Sequence, residues 1–440
     1  MKVTSSYGIE IKNMNKIFRP TLGIYNDALT LCVDIFEKEW SIIEPLDSIQ
    51  RKGFCDKLIH GTKSRAAKYT DFDDGFPKMP SYMRRNIINS VLGYLSSYHS
   101  NLKNWEDNGK KGKKPTLQRH LNQFPTFYRD NTYLETDIDN DNVELKLFLD
   151  NDWKYIKVKL KHTDMQYIRK HFYGKKLSAP TLEKHYGKWY IRFAIEEDVK
   201  LSTTALKEQR ILAIDLGINT DATCSVMKSD GTILARKFIN FASDKDHIYH
   251  TLNKIRKISQ TSGSCNTTKL WKHLTNKNEE LSRKIAKTIS DYALEMQVDV
   301  IVFEYLDTKG KKKGKSKAKL HFWRKNTIQK LVEHKAHRNG IRISHICAWG
   351  TSKLAFDGSG KVLRGKDAGF NTYELCKFNN GKIYNCDLSA SYNIGARYFV
   401  RELQKSISEK KWSDIVAKVP ECQKRTLNTY ATLLELNKVV

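Results

Sequence analysis

The chain has 440 residues, with 77 Lys plus Arg against 49 Asp plus Glu and a formal net charge of +28. That length exceeds one ordinary core and implies two or three domains, and 40% hydrophobic with 29% charged residues excludes a disordered chain. The positive excess points to a polyanionic partner; no apolar run is long enough to cross a bilayer, no secretory signal opens the chain, and eight scattered cysteines do not form a disulfide framework, so a reducing cytosol is expected.

Residues 1–11 read as one short strand, with Val3, Ile9 and Ile11 as its apolar part. Leu22, Tyr25, Leu29, Cys32, Phe36 and Trp40 then recur at helical spacing. A second helix starts after Pro80-Ser81, carries Ile88, Val91, Leu92, Leu95 and Leu102 on one face, and stops before the basic loop Lys110-Lys111-Gly112-Lys113-Lys114-Pro115. Residues 20–120 therefore form a mainly helical lobe, with 1–19 as a strand of the domain that follows it. Val143, Leu145, Leu147 and Leu149 alternate with polar residues, Asp150-Asn151-Asp152 turns, and Ile156, Val158 and Leu160 return as a hairpin. Trp189, Ile191, Phe193 and Ile195 follow a turn at Tyr186-Gly187-Lys188 and suggest a second hairpin. Residues 121–205 are thus a small β-barrel or an open β-domain.

From residue 206 the pattern changes. Short apolar strands at 211–216, 222–227 and 232–238 precede a helical insertion over 244–297, whose Leu270, Leu274, Leu281, Ile285 and Ile289 share a face. A buried strand at 298–303, a helix at roughly 321–339 and a strand at 341–346 come next, and another helix follows Asp387. Three strands and then alternating helix and strand is the order of an RNase H-like α/β layer, spanning 206–400; a helical tail occupies 401–440.

Three acids stand out. Ile211-Leu212-Ala213-Ile214-Asp215-Leu216-Gly217 puts a carboxylate at the end of an apolar strand, and Ile301-Val302-Phe303-Glu304 repeats the device. Burying a carboxylate this way is costly unless a cation compensates it. Asn385-Cys386-Asp387 places a third at a helix start, where the dipole favours it. Each acid alone also fits a plain role as a strand end, an ion-pair partner or a cap. Together they are oxygen ligands for hard divalent cations, and two such ions can drive phosphodiester hydrolysis.

The segments Ala213-Ile214-Asp215-Leu216-Gly217-Ile218-Asn219, Val302-Phe303-Glu304-Tyr305-Leu306 and Cys386-Asp387-Leu388-Ser389-Ala390-Ser391-Tyr392-Asn393-Ile394 resemble the three RuvC motifs of TnpB proteins, shared with compact type V CRISPR effectors. The resemblance is specific over roughly 206–400 and only architectural upstream. It implies a multidomain α+β protein: an RNase H-like (RuvC) nuclease domain, an upstream helical recognition lobe at 20–120 and a β-barrel wedge domain at 121–205. It further implies RNA-guided cleavage of double-stranded DNA beside a short flanking motif, with Asp215, Glu304 and Asp387 holding Mg2+ or Mn2+, as a pair of ions, in a bacterial cytosol or nucleoid. Two alternatives share the scaffold: a type V CRISPR effector with the same chemistry, and a guide-dependent DNA-binding repressor that does not cut.

Members of that family usually carry two Cys-x-x-Cys pairs in a zinc loop between the second and third motifs. Here, over 347–385, the first pair falls on Ala355 and Gly358, and of the second only Cys376 remains, with Asn379 or Asn380 as its partner position. Zinc is therefore not expected, and the loop is expected to hold its shape by hydrogen bonds and small packing contacts or to be partly mobile. Lys311, Lys312 and Lys313 sit in a Lys- and Gly-rich run that reads either as a solvated linker or as a phosphate contact. Trp323, Arg324 and Lys325 interleave aromatic and basic character at a helix start, suited to nucleic acid, although aromatic residues there also suit a core.

Overall fold

The structure is a computed structural model and describes residues 1–12, 16–185, 187–261, 266–305 and 322–439. The chain divides into two compact units, Thr4–Glu197 and Asp198–Val440, the latter joined by Met1–Val3.

In the first unit the strands β1 (Lys2–Lys12), β2 (Tyr133–Asp137), β3 (Asn142–Leu149), β4 (Asp152–Leu160), β5 (Thr181–His185) and β6 (Lys188–Asp198) form one sheet in the order β2-β3-β4-β1-β6-β5. β2 and β5 stand at its two ends, so among the described residues the sheet is open and the expected barrel does not close. The β3–β4 hairpin turns at Asp150 and Asn151, with φ of 49° and 57°, the left-handed pair of a two-residue turn matched to strand twist. Trp189, Ile191, Phe193 and Ile195 are all buried along β6, as their alternation predicts.

Against this sheet lie α1 (Phe18–Lys38), α2 (Trp40–Ile43), α3 (Ser48–Ile59), α4 (Asp71–Gly75) and α5 (Ser81–Asp107), with α6 (His162–His171) between β4 and β5. Tyr25, Leu29, Cys32 and Phe36 of α1 are fully buried, and α3 is opened by a capping box in which Asp47 accepts from the Gln50 amide. The helices and the sheet share one apolar core. α6 was not expected: with mostly polar residues and only Met165 and Ile168 buried, its period is too short to read.

The second unit is built on a mixed sheet of β7 (Arg210–Asp215), β8 (Ala222–Lys228), β9 (Ile233–Ile239), β10 (Val300–Tyr305) and β11 (Arg342–Cys347), ordered β11-β10-β7-β8-β9. β7, β10 and β11 pair in parallel, while β8 pairs antiparallel with both β7 and β9 and so alone runs against the other strands. Alternation sorts the side chains into two cores. Leu212, Ile214, Ile301 and Phe303 face a core shared with α7 (Ala242–Thr261), α8 (Thr268–Glu295) and α9 (Lys325–Arg338). Ile211, Ala213, Val300 and Val302 face the other, shared with α10 (Cys386–Ser406), α11 (Glu409–Lys418) and α12 (Tyr430–Val439). A three-stranded sheet, β12 (Leu363–Arg364), β13 (Leu375–Lys377) and β14 (Ile383–Asn385), precedes α10. No described helix is long and apolar enough to cross a membrane.

Candidate functional site

Strand parity decides where the acids point. Asp215 follows Ile211 and Ala213 on the α10 face, and Glu304 follows Val300 and Val302 on the same face. β7 and β10 are in register through Phe303 and Ile214, so Glu304 and Asp215 stand one step beyond the last pair, side by side. Asp387 enters in the first turn of α10, whose N-cap Asn385 accepts from the Leu388 amide at 2.9 Å. The three carboxylates predicted from sequence are thereby brought to one end of one sheet face.

Their electrostatics follow from that convergence. Burial, then the charges of Glu304 and Asp387, raise the Asp215 carboxyl well above its usual range, and Arg364 opposes them. Burial raises Glu304, which is 7% exposed, against a hydrogen bond from the Thr351 hydroxyl and the charges of Arg397 and Lys325. Asp387 is raised by burial and eased by Arg364. Asp299, at the other end of β10, behaves oppositely. Burial works against it too, but hydrogen bonds from Thr204, the Arg210 amide and Ser202 hold it below the ordinary carboxylate range. Asp299 is a satisfied structural acid, whereas the other three carry charge the fold does not fully compensate. Among the described residues no three His, Cys, Asp or Glu side chains already stand in metal-coordinating geometry.

Several supporting residues were not singled out from sequence. Asn393, wholly buried on α10, donates to the Thr351 and Leu354 carbonyls, both at 2.9 Å, and accepts from the Tyr430 amide at 3.0 Å. It thereby fixes the loop whose Thr351 holds Glu304. Arg397, also buried, donates to the carbonyls of Cys347, Trp349, Thr426 and Asn428 at 2.8–3.0 Å. Arg364 donates to the Ser352 carbonyl from the small sheet, and its buried Nε has no partner among the described residues. Gly395 lets α10 approach the sheet: a Cβ there would meet Met227 Sδ and Cε at 3.0 Å and Ala213 Cβ at 3.3 Å.

The zinc-loop positions hold no set of thiolates. Ala355 and Cys376 join Phe378 and Cys386 in a small buried cluster, Asn379 donates to the Ser359 carbonyl at 2.7 Å, and Asn380 donates to Asp357 at 2.9 Å. Lys382 lies over the Phe356 and Tyr384 rings at 4.8 and 5.3 Å. Of the residues expected to touch nucleic acid, Lys311, Lys312 and Lys313 lie outside the described residues. Lys325 is corrected: it is 4% exposed, close enough to Glu304 to ease that carboxylate's ionisation, and its ammonium sits 5.6 Å from the Trp323 ring. Trp323 packs partly against the core beside α8 and α9, and Arg324 pairs with Glu279 at 3.1 Å.

A family model described as the Aq_aa04 family matches residues 5–149. The chain is 25% identical over 237 residues to the TnpB-like protein aq_aa05 of Aquifex aeolicus (strain VF5), covering 50% of this chain and 77% of that one. The multidomain α+β fold resembles that of the protein in a Cas12f1–sgRNA–target DNA complex, with a TM-score of 0.53, 14% identity, and coverage of 86% of this chain and 81% of that one. The resemblance to TnpB proteins read from the motifs is thus met again in a relative that matches half of this chain.

Proposed function

We propose that this chain is an RNA-guided DNA endonuclease of the TnpB type, with Asp215, Glu304 and Asp387 as the centre of phosphodiester hydrolysis. The observation that carries the reading is the convergence of three carboxylates, all held above their usual range, on one sheet end. Burial of these carboxylates, with the repulsion of Asp215 by the other two, is a cost to folding that a cation offsets. The strand order and directions of the second unit, with α10 across the acid-bearing face, support an RNase H-like (RuvC) nuclease domain.

An all-carboxylate donor set, with Arg364 as the neighbouring base, suits Mg2+ or Mn2+ rather than a soft metal. Bound divalent ions supply water activation and charge neutralisation at the scissile phosphate in centres of this class. The chain's own residues hold the ligands in place. Thr351 orients Glu304, Asn393 fixes Thr351, and Lys325 and Arg397 temper the charge on Glu304. Arg364, beside Asp215 and Asp387, adds a positive charge that draws a phosphate toward them.

The net charge of +28 fits two polyanionic partners, a guide RNA and a target DNA, which are also the components named in the Cas12f1 complex. Target choice then rests on RNA–DNA pairing beside a short duplex motif read by the protein. Retention of all three acids favours cutting over a binding-only repressor; a type V CRISPR effector would assign the same roles to the same residues. The test begins with the RNA that copurifies with the protein from its native locus. One abundant RNA with a variable end defines the target, which should be cut with Mg2+. Asp215→Ala should abolish cutting and leave RNA and DNA binding nearly intact. Equal loss of binding and cutting would make Asp215 structural, and random or absent RNA would overturn the guided reading.

A further inference from the structure

On the sheet face opposite the carboxylates, α7, α8 and the start of α9 enclose a cavity of 670 Å3, a volume typical of ligand pockets. Its rim includes residues 217–219, the loop that leaves β7 just after Asp215. Its lining mixes apolar and aromatic side chains with polar and charged ones; Tyr249 is half exposed and Trp323 is among the aromatic residues. The Trp323 indole Nε1 is buried and has no hydrogen-bond partner among the described residues, as is also true of Trp40 and Trp153. Two of the wall's cations are answered internally, Lys245 by Asp221 at 3.3 Å and Arg324 by Glu279 at 3.1 Å. Among the described residues Arg256 has no acidic partner; it reaches the Asn253 side chain at 3.4 Å.

Arg256 also belongs to a second cavity, of 560 Å3, along α7. That groove is lined by His250, Lys254 and Lys257 with polar and aliphatic neighbours, and among the described residues no acid lines it. An aromatic slot and a basic track thus share one helix and one arginine. The slot matches the face of an unpaired base, and the track matches the phosphates next to it. Asp246, on the rim of the slot, disfavours phosphate there and leaves the backbone to the groove side.

We propose that these adjoining cavities bind single-stranded nucleic acid, one unpaired base entering the slot beside Tyr249 and Trp323 and its phosphates following Lys254, Arg256 and Lys257. The proposal rests on the nucleic-acid reading of the chain and deepens it by naming a strand-holding site apart from the carboxylates. A duplex is disfavoured in the slot, because a paired base leaves its stack only at the further cost of unstacking.

The test is photocrosslinking of the full-length protein to oligothymidylate and oligouridylate strands carrying thiolated bases, followed by peptide mapping. Crosslinks are expected at Tyr249 or Trp323, with the stronger of the two strands telling DNA from RNA. The exposed-site variant Lys254→Glu/Lys257→Glu should weaken strand binding about tenfold at low salt. Trp323→Phe, which removes the N–H and keeps a smaller aromatic ring, should reduce slot crosslinks without loss of fold. Strand binding with crosslinks confined to other peptides, or affinity unchanged in the double variant, would overturn this site while leaving the endonuclease reading standing. Failure to bind any strand, duplex or guide RNA would sink both.

Discussion

Replacing Asn393 by Ala removes one side chain that ties three pieces of the second unit together. Its amide donates to the Thr351 and Leu354 carbonyls and accepts from Tyr430, and the side chain is fully buried. Each lost bond costs about 1 kcal/mol net, and more where the partner is left buried and dry, so a total of about 3 kcal/mol is expected. For a unit of roughly 240 residues, a shift of about 2–4 °C per kcal/mol gives a Tm lower by about 6–12 °C. Asn393→Asp keeps the acceptor for Tyr430 but turns a buried carboxylate toward two carbonyls. It should fall further at neutral pH and recover part of the loss in acid, where the protonated carboxyl can donate once. Thermal unfolding followed by circular dichroism at two pH values separates the variants. A Tm within about 2 °C of the parent for Asn393→Ala, or identical behaviour of the two variants at every pH, would refute the tie and with it the indirect support of Glu304.

Asp215→Asn should stabilise the protein in EDTA. The folded-state carboxyl is raised above its unfolded value, so its ionisation opposes folding, and stability falls as pH rises through the unfolded pKa toward the folded one. The gain in Tm should therefore be absent in acid, below the unfolded pKa, and present at neutral pH; a uniform gain at all pH values would contradict this. Millimolar Mg2+ should raise the Tm of the parent and not of Asp215→Asn, because only the full carboxylate set favours the folded state by binding an ion. Equal shifts in both proteins would locate the ion elsewhere. Gly395→Leu should cost about 1–3 kcal/mol by overpacking Met227 and Ala213. It should also reduce cleavage by displacing α10 and Asp387 from Asp215, whereas Gly395→Ala, met mainly by the flexible end of Met227, should do much less; parity of the two in thermal unfolding and cleavage assays would argue against a close-approach role.

Elements whose signals are local were legible in the chain. The apolar runs before Asp215 and Glu304 read as buried strands, and parity along each run assigns its acid to a face without any knowledge of the fold. Asp150-Asn151 marked its hairpin because left-handed φ values favour those residue types. How the buried charges are answered was legible only in three dimensions. Arg364 reaches the acids from the small sheet, Arg397 gathers four carbonyls from two distant loops, and Lys325 turns inward beside Glu304 instead of outward. The openness of the six-stranded sheet was also undecided, since closure depends on the edge strands and not on any one hairpin. Periodicity and turn chemistry act over a few residues and leave a trace in the chain. Charge compensation acts through space between segments remote in sequence, and only the fold brings those segments together.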